Sequence, residues 1–184
     1  MIAEHGETSA GLDIRPLATV GDAVVASEVL ARVWGGDQGR GVGRLLKQHQ
    51  REWALARDVG TITWTFDPLV RRNAHFNFRV LGVRAVEYLV NHYGAMDDGV
   101  NRGDETDRIL VAWAIASAPA LTPPDDRVAA AVEVPADIET LRRSDPIAAS
   151  AWRLRVREQL LAHLADGLVI GGFDDARGYL LVRP

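Results

Sequence analysis

The stretch that decides the fold is Gln38-Gly39-Arg40-Gly41-Val42-Gly43-Arg44. Three glycines stand at the mouth of a predicted helix. Because glycine has no Cβ, a ligand can approach the main chain there, and the unpaired N–H groups and dipole of a helix start favour phosphate. The stretch predicts a pyrophosphate site, and the alternative is a plain glycine-rich turn. The helix itself is indicated by a one-face spacing at Val42, Leu45, Leu46, His49, Trp53 and Ala56.

Two common phosphate loops do not fit this stretch. No Gly-Lys-Ser/Thr follows the glycines, as a nucleotide triphosphatase loop requires. No strand with an acidic residue about 20 positions further on indicates a dinucleotide fold. A different kind of anion loop therefore has to be considered.

The next segment predicts a strand, a short helix and a second strand. Thr61–Phe66 is a run of β-branched and aromatic residues, bounded by Gly60 and by Asp67-Pro68. Residues 73–83 follow as a short helix, and Gly82 suits the left-handed position that closes a helix. Strands are then predicted over residues 83–90 and 108–115, with a long polar loop between them.

These segments resemble the two signatures of the GNAT N-acetyltransferase superfamily, in a bacterial branch of predicted acetyltransferases. Its acetyl-CoA loop has Gln or Arg, two residues, Gly, one residue, and Gly or Ala, which Gln38, Gly41 and Gly43 fit. Its second signature has an Asn that contacts the CoA arm and a Leu-Gly turn, which Asn73 and Leu81-Gly82 match. The resemblance spans about residues 38 to 115.

The resemblance implies an α/β fold, a GNAT-type mixed and mostly antiparallel sheet flanked by helices. The core would span residues 1-117, and a C-terminal helix-plus-hairpin extension would span 118-184. It implies an acyltransferase that moves an acetyl or similar acyl group from acyl-CoA to the amine of a small molecule, an amino acid being one candidate. The residues expected to bind acetyl-CoA or another acyl-CoA are Gln38, Gly39, Arg40, Gly41, Val42, Gly43, Arg44 and Asn73.

One departure from the family pattern has a chemical consequence. GNAT domains place three antiparallel strands before the loop, which need about 30 to 50 residues. Here a predicted strand (12–16) and helix (20–34) lead straight into the loop, so those strands are lacking between residues 36 and 37. The family's usual base and oxyanion donor therefore have no counterpart, and the Thr61–Phe66 strand is left with an unpaired edge. A non-catalytic CoA-binding or dimerisation module is the alternative function.

The catalytic residues are harder to assign. Many relatives have a Tyr that protonates the CoA thiolate, and the matching position here is Phe78. Tyr93, Tyr88 or water could replace it, and we prefer Tyr93 because it opens the polar loop; a structural tyrosine is the alternative. Asp67 and Asp97 are candidate substrate-binding carboxylates, and a turn-capping role is the alternative for Asp97.

Composition bounds the remaining function classes. The chain has 184 residues, 47% of them hydrophobic, and a net charge of −4, so neither nucleic acid nor an anionic membrane is an expected partner. It has no cysteine, which excludes disulfides and a thiolate nucleophile, and its five histidines lack metal-ligand spacing, so no metal is expected. No apolar run reaches membrane-spanning length, and we expect a cytoplasmic protein that can form a homodimer.

The C-terminal third predicts an appendage of one strand, two helices and a hairpin. A strand is expected over residues 128–134, then a short helix opened by Pro135-Ala136-Asp137, a long helix from Pro146 to Gly167, and a hairpin of 168–173 with 179–182. This part is expected to pack on the core or, alternatively, to cover an edge or form a dimer surface. The long helix is predicted to face inward with Ile147, Ala151, Leu154, Leu161 and Leu164 and outward with Arg153, Arg157 and Glu158.

Overall fold

The computed structural model describes residues 42–94, 105–118, 120 and 122–184. The chain divides into two compact units, residues 1–59 and 60–184. The predicted strand 12–16, the helix 20–34 and the junction between Trp34 and Gln38 lie outside the described residues.

The described part of the first unit is a helix, α1 (Val42–Leu55). The helix predicted from the apolar spacing is thus confirmed. Trp53 is half exposed, with the Arg57 guanidinium 4.0 Å from its ring centroid, so it is not packed as that spacing suggested. Asp58 ends the segment with a positive φ of 58°.

The second unit begins with an antiparallel sheet of three strands. These are β1 (Thr61–Phe66), β2 (Arg84–Leu89) and β3 (Arg108–Ala114), and β3 lies between the other two. The sheet buries Ile109, Val111 and Trp113 on one face. The predicted strands are confirmed, and the alternating pattern of β3 fits a sheet with one covered face.

The connection from β1 to β2 is helical and changes its winding. Helix α2 (Arg71–His75) continues as a π-helical segment (Phe76–Leu81). Gly82 ends it in the left-handed region, with φ 64° and ψ 43°, as its sequence position predicted. The π-helical winding was not predicted.

A second antiparallel sheet is built from the C-terminal third. It contains β4 (Val128–Val132), β5 (Val169–Asp174) and β6 (Gly178–Val182), with β6 in the middle. The hairpin turn between β5 and β6 is held by the Asp174 carboxylate, which accepts hydrogen bonds from the N–H groups of Ala176 and Arg177. Gly178 is required there, since a Cβ would lie 2.1 Å from the Val132 carbonyl oxygen.

Two helices join β4 to β5. Helix α3 (Ile138–Ser144) is capped by Asp137, and α4 (Pro146–Ala165) is capped by Asp145, each through a carboxylate that accepts a backbone N–H. The predicted facing of α4 was wrong for Ile147, Leu154 and Arg153, whereas Glu158 is exposed as predicted. Arg153 is 1% exposed, whereas Ile147 is 84% and Leu154 49% exposed. The buried stripe is instead Ala149, Arg153, Val156 and Leu160.

The helical connection α2 and its π-helical segment join the two sheets of the second unit. The Phe78 ring lies 6.3 Å from that of Phe66 in β1 and 6.1 Å from that of Tyr179 in β6. The Tyr179 hydroxyl donates to the Pro68 carbonyl at 2.7 Å. The C-terminal third thus contributes to the same core as β1, and the fold is mixed α/β.

Candidate functional site

The predicted pyrophosphate loop is described only in its last three residues. Val42, Gly43 and Arg44 form the first turn of α1, while Gln38, Gly39, Arg40 and Gly41 lie outside the described residues. The first turn carries no acidic side chain, so no carboxylate of its own neutralises the positive end of the helix dipole. Arg44 is exposed. This arrangement suits an anion, and phosphate binding stays a prediction.

Asn73 lies near the start of α2 but does not cap it. The N-cap residue is Val70, and the Asn73 N–H donates to the Val70 carbonyl at 2.9 Å. Asn73 is therefore the third residue of the helix, and its side chain is half-buried. Asn73 is thus not the N-cap of α2, and its contact with a ligand stays a prediction.

The position that matches the family's proton donor holds an apolar ring. Phe78 is buried and makes edge-to-face contacts with Phe66 and Tyr179. The preceding Asn77 accepts a hydrogen bond from the Trp64 indole at 3.2 Å. This segment therefore packs against β1 and β6. The Phe78 side chain has no proton to donate.

The two tyrosines considered as replacements have different surroundings. Tyr93 is 52% exposed, and its hydroxyl lies 3.1 Å from the Thr65 hydroxyl. The Arg108 guanidinium lies 5.2 Å from the centroid of the Tyr93 ring. The hydroxyl of Tyr93 is thus within hydrogen-bond distance of Thr65 and its ring lies against Arg108, while half of the side chain is open to solvent. Tyr93 is therefore not a buried structural tyrosine. Tyr88, by contrast, is buried.

Tyr88 is buried and donates its hydroxyl proton to Asp107 at 2.7 Å. Burial, and then the hydrogen bond and charge of Asp107, raise the pKa of Tyr88 far above its ordinary value. Its proton is therefore held at any working pH. Of these two tyrosines, Tyr93 is the one that can meet a substrate.

A network at the base of the polar loop was missed by the sequence analysis. The Asn91 N–H donates to Asp107 at 2.9 Å, and Arg157 donates to the same carboxylate at 2.6 and 2.8 Å. Thr106 accepts from the Tyr93 N–H at 2.9 Å. Burial would raise the pKa of Asp107, but the Arg157 hydrogen bonds and the Asn91 N–H bring it below its ordinary value. No local pattern signals the partnership, because Arg157 lies 50 residues away.

Asp67 is the centre of a buried ion-pair cluster. Its carboxylate accepts from the Leu69 N–H at 2.9 Å, from Arg142 at 2.6 Å and from Arg153 at 3.4 Å. Arg108 lies 3.9 Å away. Burial would raise the pKa of Asp67, and the charges of Arg153 and Arg142 bring it below its ordinary value.

These contacts give Asp67 a structural role at the end of β1. Both of its oxygens are engaged by groups of this chain. Binding of a substrate amine by Asp67 stays a prediction, one that this geometry does not favour. Asp97, the other predicted carboxylate, lies outside the described residues.

The described residues contain neither a candidate metal-binding cluster nor a helix that could cross a membrane. In residues 42–94, 105–118, 120 and 122–184, no three or more His, Cys, Asp or Glu side chains gather in a way that could hold a metal ion. Within the same ranges, no helix combines the length and apolarity that crossing a membrane requires.

Comparison of the chain with family models, with curated proteins and with solved structures found no match.

Proposed function

We propose that this chain is a CoA-dependent acyltransferase that moves an acetyl or similar acyl group to the amine of a small molecule. The supporting observation is the order of its elements. Helix α1 follows the glycine stretch, β1 follows α1, and the Asn73 helix leads through a left-handed Gly82 into β2. That succession is the one that the two sequence signatures require.

The proposed ligand is acetyl-CoA or another acyl-CoA. The N–H groups at the start of α1 would hold the pyrophosphate, since a helix start favours anions and this one carries no carboxylate in its first turn. Asn73 would contact the pantetheine arm with its side-chain amide. Each expected contribution can be tested by its own substitution.

The proposed chemistry is direct transfer. A neutral amine attacks the thioester carbonyl, the C–N bond forms, and the C–S bond breaks as CoA leaves. The amine loses a proton to water or a base, and the leaving thiolate takes one. Thiols have a modest pKa of about 8.5, so the departing sulfur needs little help, and Tyr93 or water would supply that proton.

Binding and turnover test the proposal separately. Calorimetric titration with CoA measures binding, and release of free thiol from acetyl-CoA over a panel of amines measures transfer. The expected result is micromolar CoA binding together with amine-dependent thiol release. Absence of CoA binding at millimolar concentration contradicts the proposal.

A non-catalytic CoA-binding or dimerisation module is the second candidate function. It is favoured by the buried Phe78, which leaves the family's proton-donor position without a donor. This candidate predicts that CoA raises the melting temperature while no amine in the panel releases thiol. The thiol assay therefore separates the two functions.

A further inference from the structure

The Asn77 side chain has hydrogen-bonding capacity that the described part of the fold does not use. Asn77 lies in the π-helical segment (Phe76–Leu81) and is 4% exposed. Its Oδ1 oxygen accepts a hydrogen bond from the Trp64 indole at 3.2 Å. Among the residues that the structure describes, no acceptor lies within hydrogen-bond distance of its amide nitrogen, Nδ2. This buried side chain therefore carries two N–H groups that no described residue binds.

The direction of these N–H groups is fixed by Trp64. An indole nitrogen can only donate a hydrogen bond, so the end of the Asn77 amide that faces it must be the oxygen. Exchange of the two ends would set an N–H against an N–H. Nδ2 therefore lies on the side of the amide away from the indole. It is not among the polar atoms of described residues that are fully enclosed without a partner, so it keeps access to the outside.

A buried amide of this kind calls for an explanation. A buried donor without an acceptor costs free energy, and native proteins contain few of them. The bond from Trp64 needs only an acceptor oxygen, which a side chain without N–H groups could provide. The π-helical winding around Asn77 is also rare, and π-helical turns occur frequently at functional sites. Both observations indicate that Asn77 meets a ligand.

Asn73 places a second carboxamide beside the first. It precedes Asn77 by four residues, and residues four apart are neighbours on one face of a helix. Asn73 is half-buried, and within the described ranges its side chain makes no hydrogen bond. Two adjacent carboxamides offer both N–H donors and a carbonyl acceptor. The matching ligand is a neutral chain that itself contains amide groups.

We propose that the Asn77 side-chain amide donates a hydrogen bond to an amide carbonyl of the pantetheine arm of acyl-CoA. The inference rests on the proposed function and adds a binding residue to it. The arm contains two amide groups and no charge, so a neutral carboxamide matches it. A phosphate, in contrast, is better held by cations and helix starts. Asn77 thus positions the arm, and the start of α1 holds the pyrophosphate.

The first test observes the Asn77 amide directly in the wild-type chain. The chain has four asparagines, so their side-chain NH2 resonances in a proton–nitrogen NMR spectrum can be assigned individually. CoA should shift the Asn77 NH2 resonances downfield, as a new hydrogen bond does. The nucleotide half of CoA, which ends at the pyrophosphate, should leave them in place. CoA binding with unmoved Asn77 resonances overturns this site and leaves the proposed function standing, whereas absence of CoA binding overturns both.

The second test removes the donor and keeps the acceptor. In Asn77→Asp the side-chain oxygen can still accept the Trp64 indole N–H, but the two amide N–H groups are gone. Calorimetric titration should show CoA binding weakened about tenfold, with binding of the nucleotide half unchanged. Asn91→Asp is the matched control, since it makes the same change at a half-buried asparagine whose oxygen accepts from Thr106, and it should leave both affinities unchanged. Equal losses of affinity for CoA and for its nucleotide half, or a CoA affinity in Asn77→Asp equal to that of the wild type, overturn the contact.

Discussion

Replacement of Asp67 by asparagine is the sharpest test of how the second unit is held together. The change keeps the shape of the side chain and removes its charge. The amide oxygen can still accept the Leu69 N–H, but the ion pairs with Arg142 and Arg153 are lost. Both arginines are buried, at 5% and 2% side-chain exposure, so neither can turn to solvent.

The expected loss of unfolding free energy is about 3 kcal/mol, at the lower end of the 3–5 kcal/mol range for breaking a buried ion pair. The lower end applies because Arg142 and Arg153 each keep a further interaction in the fold. A unit of this size should then melt roughly 10 °C lower. Urea unfolding followed by tryptophan fluorescence measures the change.

The loss of unfolding free energy in Asp67→Asn should depend on pH in a direction that can be checked. The pKa of Asp67 lies below its ordinary 3.8 in the folded state, so its ion pairs stabilise the fold above that pH. The contribution disappears as pH falls from about 4 through the lower folded pKa. The stability gap between wild type and Asp67→Asn should be constant near neutrality and narrow below about pH 4.

The matched control is Asp175→Asn, which makes the same chemical change at a 60% exposed side chain paired with His75. This control substitution should lower the free energy of unfolding by less than about 1 kcal/mol. If Asp67→Asn costs as little as this control, or if its gap to wild type is the same at every pH, the reasoning about the buried cluster is refuted.

Four further outcomes follow from the proposed site. Asn73→Ala should weaken CoA binding by about 1 to 2 kcal/mol in calorimetric titration, with little change in melting temperature because Asn73 is not the N-cap; an equal affinity would remove Asn73 from the site. Gly43→Glu should abolish CoA binding without unfolding the chain, since a carboxylate in the first helical turn repels pyrophosphate but suits the helix dipole; retained affinity would refute the loop assignment. Tyr93→Phe should lower kcat for thiol release and leave CoA affinity unchanged, and an unaltered kcat assigns the proton transfer to water. Tyr88→Phe should lower the free energy of unfolding by about 1 to 3 kcal/mol, because the buried Asp107 loses a donor; a change below about 0.5 kcal/mol would argue against that hydrogen bond.

Local patterns predicted the local structure well. The β-branched run at Thr61–Phe66 forms a strand, and Gly82 takes the left-handed conformation that ends its helix. Asp137, expected near the start of a short helix, caps α3, and α4 begins at Pro146 as predicted. In each case the chemistry that decides the structure lies within a few residues of the position predicted.

The facing of α4 could not be predicted in the same way. The helix offers two stripes with helical spacing, and the more apolar one, with Ile147 and Leu154, is exposed. The other stripe is buried because Arg153 meets Asp67, 86 residues earlier in the chain. A hydrophobic pattern cannot reveal that a distant carboxylate makes an arginine the better residue to bury.

The same limit applies to the candidate site. The position of Tyr93 at the opening of the polar loop was readable from the sequence, and its exposure agrees with a role there. The contacts of Tyr93 with Thr65 and Arg108 could not be predicted from the sequence, because these two residues come from two different strands. The Arg157 clamp on Asp107 likewise comes from a separate helix.

The buried cluster at Asp67 also constrains how the chain can be made. Asp67 closes β1, but Arg153 emerges 86 residues after it during synthesis. At about 5 to 20 residues per second, the carboxylate waits roughly 4 to 17 s for that partner. Through that interval β1 exists as a nascent segment whose terminal charge is still hydrated. The ion-pair cluster of the second unit therefore cannot be completed until α4 has left the ribosome.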